Sequence, residues 1–324
     1  MQAIRIHEFG PPSVMRLEEV PDPQPGPGQV LVRLRAAGVN PADTYIRSGN
    51  YSRLPDKMPY TPGGDGAGEI AAIGEGVTGV KVGDRVYLDG IASQLSGTYA
   101  QFTIASAAGV HPLPSRLSFE QGAAIAVPYA TAHFALDYAN ARDGETVLVH
   151  GASGAVGTAA IQLALARGTK VIGTAGSERG KKLVMEQGAR QVVEHGKAGV
   201  VEKVMELTGG KGVDVILEML ANVNLGFDLK MLSPGGRVIV IGSRGNVEIT
   251  PRDAMNREAT IRGMLLWHVP HDEQRRALES MADGFQSGQL SPVVGPTFPL
   301  AQAPASHEAV LAPGHYGKVV LTID

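Results

Sequence analysis

Between residues 146 and 157 the chain reads Thr-Val-Leu-Val-His-Gly-Ala-Ser-Gly-Ala-Val-Gly. An apolar, β-branched run ends at Gly151, glycines recur at 154 and 157, and Ala159, Ile161, Leu163, Ala164 and Leu165 follow with helical spacing. A strand, a glycine turn and a helix N-terminus in that order make an anion site. Unpaired amides and the positive end of the helix dipole converge there. Gly151 lets the chain reverse, Gly154 lets the backbone approach an anion, and Gly157 lets the helix press on the strand. The spacing is GxxGxxG rather than GxGxxG, so the flanking strand and helix carry the argument for a dinucleotide. A glycine-rich turn that binds nothing is the competing reading.

The next segment favours the dinucleotide. Residues 170–174 (KVIGT) form a second apolar run, one crossover unit later, as a βαβ fold requires. An NAD site carries an acid at the tip of this strand to hold the ribose 2′-hydroxyl. Here the tip reads Gly173-Thr174-Ala175-Gly176-Ser177, with no acid, and Arg179, Lys181 and Lys182 follow. Those charges are either a solvated helix face or a 2′-phosphate site. With the acid missing, the expected cofactor is NADP(H).

The remaining composition excludes several classes. At 324 residues the chain is long enough for two domains with separate cores. It has no cysteine, which removes disulfides, thiol nucleophiles and thiolate metal ligands together. A net charge of −3 makes no electrostatic case for nucleic acid or an acidic membrane. The longest apolar runs are strand-length, so no span of a bilayer is expected. The first residues (MQAIRIHEFG) enter an alternating strand without signal-peptide architecture, so a cytoplasmic location is expected.

Before residue 120, strand patterns fall at 2–6, 30–39, 68–74, 85–88 and 99–105, separated by Pro/Gly-rich turns at 21–28 and 59–68. They suggest a small β-barrel. A helical pattern covers 118–141, with Ser118 as its N-cap. Strands are then expected at 146–150, 170–174, 190–193, 213–218, 237–242 and 260–266. Helices between them are expected at 154–167, 178–187, 198–208 and 222–232, which gives a doubly wound parallel sheet. A charged helix over 272–286 precedes a return to β-structure at Phe298 and 318–323, expected to rejoin the barrel. A cleft between two such domains is the usual place for a substrate.

Along nearly its whole length the chain resembles the medium-chain dehydrogenase/reductase superfamily, and within it the ζ-crystallin-type quinone oxidoreductases. GDRV at 83–86 and the glycine turn mark the superfamily. GVNP at 38–41, TYIRSG at 44–49, EMLANVN at 218–224 and GSRG at 242–245 are narrower and point to the ζ-crystallin-like group. The resemblance implies an α/β protein. A GroES-like β-barrel catalytic domain, which takes the substrate, would span 1–123 and 270–324, and a Rossmann NADP(H)-binding domain 124–269. It also implies a homodimer or homotetramer that reduces quinones without zinc. Where zinc-dependent relatives carry a Cys and a His-Glu pair, this chain has Asn40 and Gly64-Asp65. A site without a metal to polarise a carbonyl suits acceptors whose product charge is delocalised, such as quinones and conjugated enones.

By the same resemblance Tyr45 would contact the nicotinamide and hydrogen-bond a developing oxyanion, unless it is only an amphipathic surface tyrosine. Asn40 would offer an amide to a quinone oxygen, or simply sit in the turn before Pro41. Tyr51 and Arg53 would edge the substrate mouth. Ser153, Gly154, Ala155 and Val156 become the pyrophosphate turn, and Gly176, Lys181 and His195 surround the 2′-phosphate. Asn224, Ile241, Gly242, Ser243, Arg244, Met264, Leu265 and Leu266 lie along the nicotinamide half. From the residues alone, Met264 and Leu265 read as strand core and His195 as a loop histidine. Glu218 reads as a loop cap rather than an acid, and His268 and His271 as a hinge around Pro270. Reduction of 2-alkenals or enones is the alternative activity. A non-catalytic NADPH-binding protein with a structural or RNA-associated role is the alternative class.

Overall fold

The computed structural model describes residues 1–90, 96–195 and 199–324. Its contacts divide the chain into Met1–Val127 with Val269–Asp324, and Pro128–His268.

In the first unit β1 (Gln2–Ile6) pairs antiparallel with β2 (Met15–Glu19). The long β3 (Gln29–Val39) turns Val30, Val32 and Leu34 into a core shared with Ile4, Ile70 and Val86. It pairs with β4 (Asp65–Ile73), which in turn pairs with β5 (Arg85–Leu88). On its other side β3 takes β6 (Phe102–Ser106), while β5 takes β7 (Val110–Pro112).

The expected helix over 118–141 is two helices, Phe119–Gly122 and Ala126–Tyr138. Ser118 caps the first, its hydroxyl accepting the Gln121 amide at 3.2 Å. The break has a tertiary cause. A Cβ on Gly38 of β3 would stand 2.2 Å from the Ala123 carbonyl oxygen, so that carbonyl is pressed onto the sheet. The Asp65 carboxylate then accepts the Val127 amide at 2.9 Å, capping the second helix.

The second unit is a six-stranded sheet with every pair parallel. Its strands are β8 (Thr146–Val149), β9 (Lys170–Ala175), β10 (Gln191–Glu194), β11 (Val213–Glu218), β12 (Leu232–Val240) and β13 (Thr260–Gly263). Their order is β10-β9-β8-β11-β12-β13. The chain reverses direction across the sheet between β8 and β11, and ligands of such folds bind beyond the carboxyl ends of the strands there. The helices Ala155–Ala166, Glu178–Glu186, Val200–Leu207 and Ala221–Met231 follow the expected pattern. The expected start of the third, Ala198, lies outside the described residues.

The strand expected over 260–266 ends at Gly263. Met264 keeps one ladder bond, its amide to the Val240 carbonyl at 2.9 Å, and the chain then turns through a short 3-10 segment, Leu266–His268. From Val269 the chain is back in the first unit. There β14 (Val294–Pro299) runs parallel to β15 (Lys318–Thr322), and β15 is antiparallel to β3. Among the described residues no helix is long and apolar enough to cross a membrane.

Candidate active site

In the first unit three strand ends meet. Gly38 of β3 pairs with Asp65 of β4 and with Val320 of β15, which brings Asn40, Asp65 and Lys318 together. Lys318 Nζ donates to Asp65 Oδ2 at 2.5 Å and to Asn40 Oδ1 at 2.6 Å. Asn40 Nδ2 donates to the same Asp65 oxygen at 2.9 Å. All three side chains are buried. A Cβ at Gly38 would stand 2.5 Å from Lys318 Cε and 2.8 Å from Asp65 Cβ, so only glycine admits the cluster. Asn40 is therefore more than a turn residue: it precedes the helix Pro41–Arg47, with proline at the helix start.

That helix carries Tyr45. The reading of spacing missed the helix, although Asn-Pro followed by Asp three residues after the asparagine is a recognisable start signal. Tyr45 is half-buried and its ring stacks on Tyr51, with centroids 6.5 Å apart and planes at 22°. Beneath the helix lies a buried polar chain. The Asn40 amide donates to Asp43 at 2.8 Å, Tyr99 donates its hydroxyl to Asp43 at 3.2 Å, and His307 Nε2 lies 3.2 Å from the Tyr99 oxygen. Arg47 Nε donates to His307 Nδ1 at 3.2 Å. Burial lifts the Asp43 carboxyl to about 6 and lowers His307 to about 3, so the imidazole is neutral.

In the second unit the glycine turn has the geometry of an anion cradle. Gly151 takes φ +55°, and Gly154 is the extended residue from which the twelve-residue helix Ala155–Ala166 starts. A Cβ on Gly157 would lie 2.5 Å from the Gly151 carbonyl oxygen and 2.6 Å from Ala152 Cα, so the helix touches the turn backbone. Ser153, Gly154, Ala155 and Val156 thus lead into a helix start whose first amides have no intrahelical acceptor. At the tip of β9, a Cβ on Gly176 would meet His195 Nε2 at 2.5 Å, and His195 Nδ1 lies 3.5 Å from Thr174 Oγ1. Burial lowers the His195 pKa. Lys181 is within reach of this tip, held by Glu194 at 3.0 Å and Glu178 at 2.5 Å. Bonding to those two carboxylates raises its pKa.

Beyond β12 and β13 lies a cavity of about 420 Å³, lined by Ile241, Gly242, Ser243, Met264, Leu265 and His268 together with Val240 and Gly263. Met264 and Leu265 therefore line a cavity rather than continue a strand, and His268, read as a hinge, joins them. Leu266 is buried. Arg244 is exposed, and its amide donates to Asn222 Oδ1 at 2.8 Å. The Asn224 side chain donates to Glu218 at 3.1 Å.

Glu218 also accepts the Leu220 amide, so it does cap its loop. It is further part of a cluster that spacing gave no reason to expect. His150, Glu218 and Asp228 are all buried, with His150 Nε2 2.9 Å from Asp228 Oδ1 and 3.6 Å from Glu218 Oε2. The available signal was positional: His150 follows β8 directly and Glu218 ends β11, two polar groups at the carboxyl ends of apolar strands.

The sequence family described as "Zinc-binding dehydrogenase" matches residues 155–283, and "Alcohol dehydrogenase GroES-like domain" matches 26–115. A protein of Rattus norvegicus named quinone oxidoreductase is 49% identical over 326 residues, covering 100% of this chain and 98% of that one. A crystal structure of an NAD-dependent alcohol dehydrogenase is similar with a TM-score of 0.92 and 31% identity, covering both chains completely. The quinone oxidoreductase of Thermus thermophilus, solved also in complex with NADPH, has a TM-score of 0.83 and 33% identity, over 99% of this chain and 100% of that one. The zinc in the first family's description does not fit the residues around Asp65. The chain has no cysteine, and the carboxylate already holds the Lys318 ammonium. The barrel-type first sheet, the parallel sheet in the order 3-2-1-4-5-6 and the end-to-end identity lead to one assignment: the chain belongs to the quinone oxidoreductases of the medium-chain dehydrogenase/reductase superfamily.

Proposed function

We propose that the protein reduces quinones with NADPH and uses no metal ion to do so. The observation that carries this reading is the glycine cradle at 151–157, built to contact a pyrophosphate, in a chain that aligns end to end with quinone oxidoreductases. The bound cofactor supplies a hydride from its nicotinamide ring. Ser153, Gly154, Ala155 and Val156 hold the pyrophosphate with turn and helix amides. Gly176, Lys181 and His195 take the 2′-phosphate, and Arg244 contacts a phosphate from its loop.

The cavity lined by Ile241, Gly242, Ser243, Met264 and Leu265 takes the nicotinamide half, with the buried Leu266 next in the chain and Asn224 holding the adjoining loop. Apolar Met264 and Leu265 exclude water from that half. Tyr45 donates its phenol hydrogen to the quinone oxygen that gains charge, and Tyr51 holds its ring in place. Asn40 offers the amide hydrogen that is not bonded to Asp65. Quinones suit such a site because the negative charge they gain is delocalised, so hydrogen-bond donors suffice.

The protein acts as a homo-oligomer in the cytoplasm. All four residues of the edge strand β13 are exposed, which supports pairing with another chain. Steady-state oxidation of NADPH with 1,4-benzoquinone, run beside a simple enone, tests the assignment. Quinone turnover well above enone turnover is expected. No quinone turnover at saturating NADPH overturns it, and enone turnover alone moves the activity to enone reduction.

A further inference from the structure

His150, Glu218 and Asp228 take no part in the chemistry above, yet their burial is nearly complete. Two carboxyl groups and one imidazole carry more acceptors than donors. Among the described residues, Glu218 Oε2 and Asp228 Oδ2 are buried without a hydrogen-bond partner. Burial lowers the pKa of His150, so the ring is neutral. Its Nε2–H points to Asp228 Oδ1 at 2.9 Å, which leaves Nδ1 as an acceptor. Thr174 Oγ1, 3.3 Å from that nitrogen, donates to it while accepting the Gly151 amide at 3.2 Å.

The cluster therefore touches both parts of the nucleotide site. Through Thr174 it reaches the glycine turn. Through Glu218 it reaches the nicotinamide loop, because one carboxylate oxygen accepts from the Leu220 amide and from Asn224. The backbone carbonyl of the same residue accepts the Ile241 amide at 2.8 Å and the Gly242 amide at 3.2 Å. The side chain thus sets the turn at 220–224, and that turn bears on the loop lining the nicotinamide half, because the Ala221 amide donates to the Gly242 carbonyl at 2.9 Å.

We propose that Glu218, Asp228 and His150 are positioning residues for the nicotinamide loop, holding it while the two carboxyl groups share a proton and releasing it when that proton leaves. This inference rests on the assignment of NADPH to the second unit. With the proton in place the carboxyl groups hydrogen-bond each other. Without it two buried carboxylates face one neutral imidazole and repel, and Glu218 carries Leu220 and Asn224 with it. Burial raises both carboxyl groups to about 7, so the change falls in the neutral range. Among the described residues, His195 faces the cluster across Thr174, with Glu194 beside it.

The test measures dissociation constants of NADPH and of 2′,5′-ADP, which lacks the nicotinamide half, on the full chain from pH 6.5 to 9. The NADPH constant is expected to rise by about tenfold for each pH unit above neutrality, the limiting slope for release of one linked proton. The 2′,5′-ADP constant should change less than about twofold over the same range. Glu218→Gln and Asp228→Asn should flatten the NADPH profile. Identical profiles for the two ligands in the unmodified protein overturn the inference, and that comparison needs no variant to fold. So does an NADPH slope that survives both substitutions, or a stoichiometric divalent metal found at this cluster in the purified protein. If neither ligand binds at any pH, the cofactor assignment itself falls, and this inference with it.

Discussion

Lys318 Nζ lies 2.5 Å from Asp65 Oδ2, with 2% of one side chain and 1% of the other exposed. The same carboxylate caps the helix Ala126–Tyr138 through the Val127 amide and accepts the Asn40 side chain. One buried carboxylate thus joins β3, β4, β15 and a helix start, its negative charge met by the Lys318 ammonium. Asn40 is fixed from both ends of its amide, its nitrogen bonding Asp65 and its oxygen Lys318, as the proposed contact with a substrate oxygen requires.

Removing the ammonium leaves that charge alone in the interior. Lys318→Met is expected to destabilise the fold by about 3–5 kcal/mol. The double variant Lys318→Met/Asp65→Asn should recover a large part of the loss. Urea denaturation of the two variants checks this, and equal stabilities would mean that the pair is not coupled.

Gly157→Ala places a methyl group against backbone atoms of Gly151 and Ala152 that cannot move aside separately. The helix must shift off the turn. The dissociation constant for NADPH is expected to rise by at least about tenfold, about 1.4 kcal/mol, together with a lower melting temperature. Unchanged affinity in a folded variant would show that the phosphates do not rest on this turn.

Lys181 bonds two carboxylates, so a phosphate must compete for it. Glu194→Gln should strengthen NADPH binding severalfold and leave NADH unaffected. Lys181→Met should weaken NADPH alone. Parallel changes for the two dinucleotides would separate Lys181 from the 2′-phosphate.

Tyr45→Phe keeps the stack on Tyr51 and removes only the hydroxyl. A fall in kcat for benzoquinone of roughly a hundredfold is expected, the lower end of what one such donor contributes, with KM for NADPH little changed. A variant with full kcat would leave Tyr45 with a packing role.

Burial pushes the Asp228 carboxyl up from the ordinary 3.8 to about 7. Between those values the folded state binds a proton that the unfolded state has released, so this group lowers stability as pH rises from about 4 to about 7 and adds no further slope above. Asp228→Asn removes the contribution. Its melting temperature relative to the unmodified protein should therefore climb across that window and then level off. Thermal scans at matched ionic strength decide it, and a constant or shrinking difference would contradict the buried protonated carboxyl.

The strands and the glycine turn were legible because their signals are local. Val147, Leu148 and Val149 are apolar and β-branched or branched beyond Cβ, and the parallel sheet buries them on both faces. Gly157 sits one helical turn past the reversal, where contact with the strand excludes a side chain. The helix at 118–141 and the strand at 260–266 differ from their sequence patterns at their ends for tertiary reasons. The Ala123 carbonyl packs against Gly38, and the chain beyond Gly263 turns away to line a cavity. The candidate site was legible only where one short segment carries it.

From the sequence alone came the doubly wound sheet, its glycine cradle, the missing acid at the tip of β9 and the absence of thiolate ligands. Each depends on residue type and short-range spacing, which steric and helix-dipole rules translate directly into structure. Only the tertiary fold brought Lys318 to Asp65 across 253 positions, and His150 to Asp228 across 78. No periodicity connects such residues. Strand register through Gly38 sets Lys318 against Asp65, and the packing of the helix Ala221–Met231 on the parallel sheet sets Asp228 against His150, in the interior, where a charge or a proton has to find a partner.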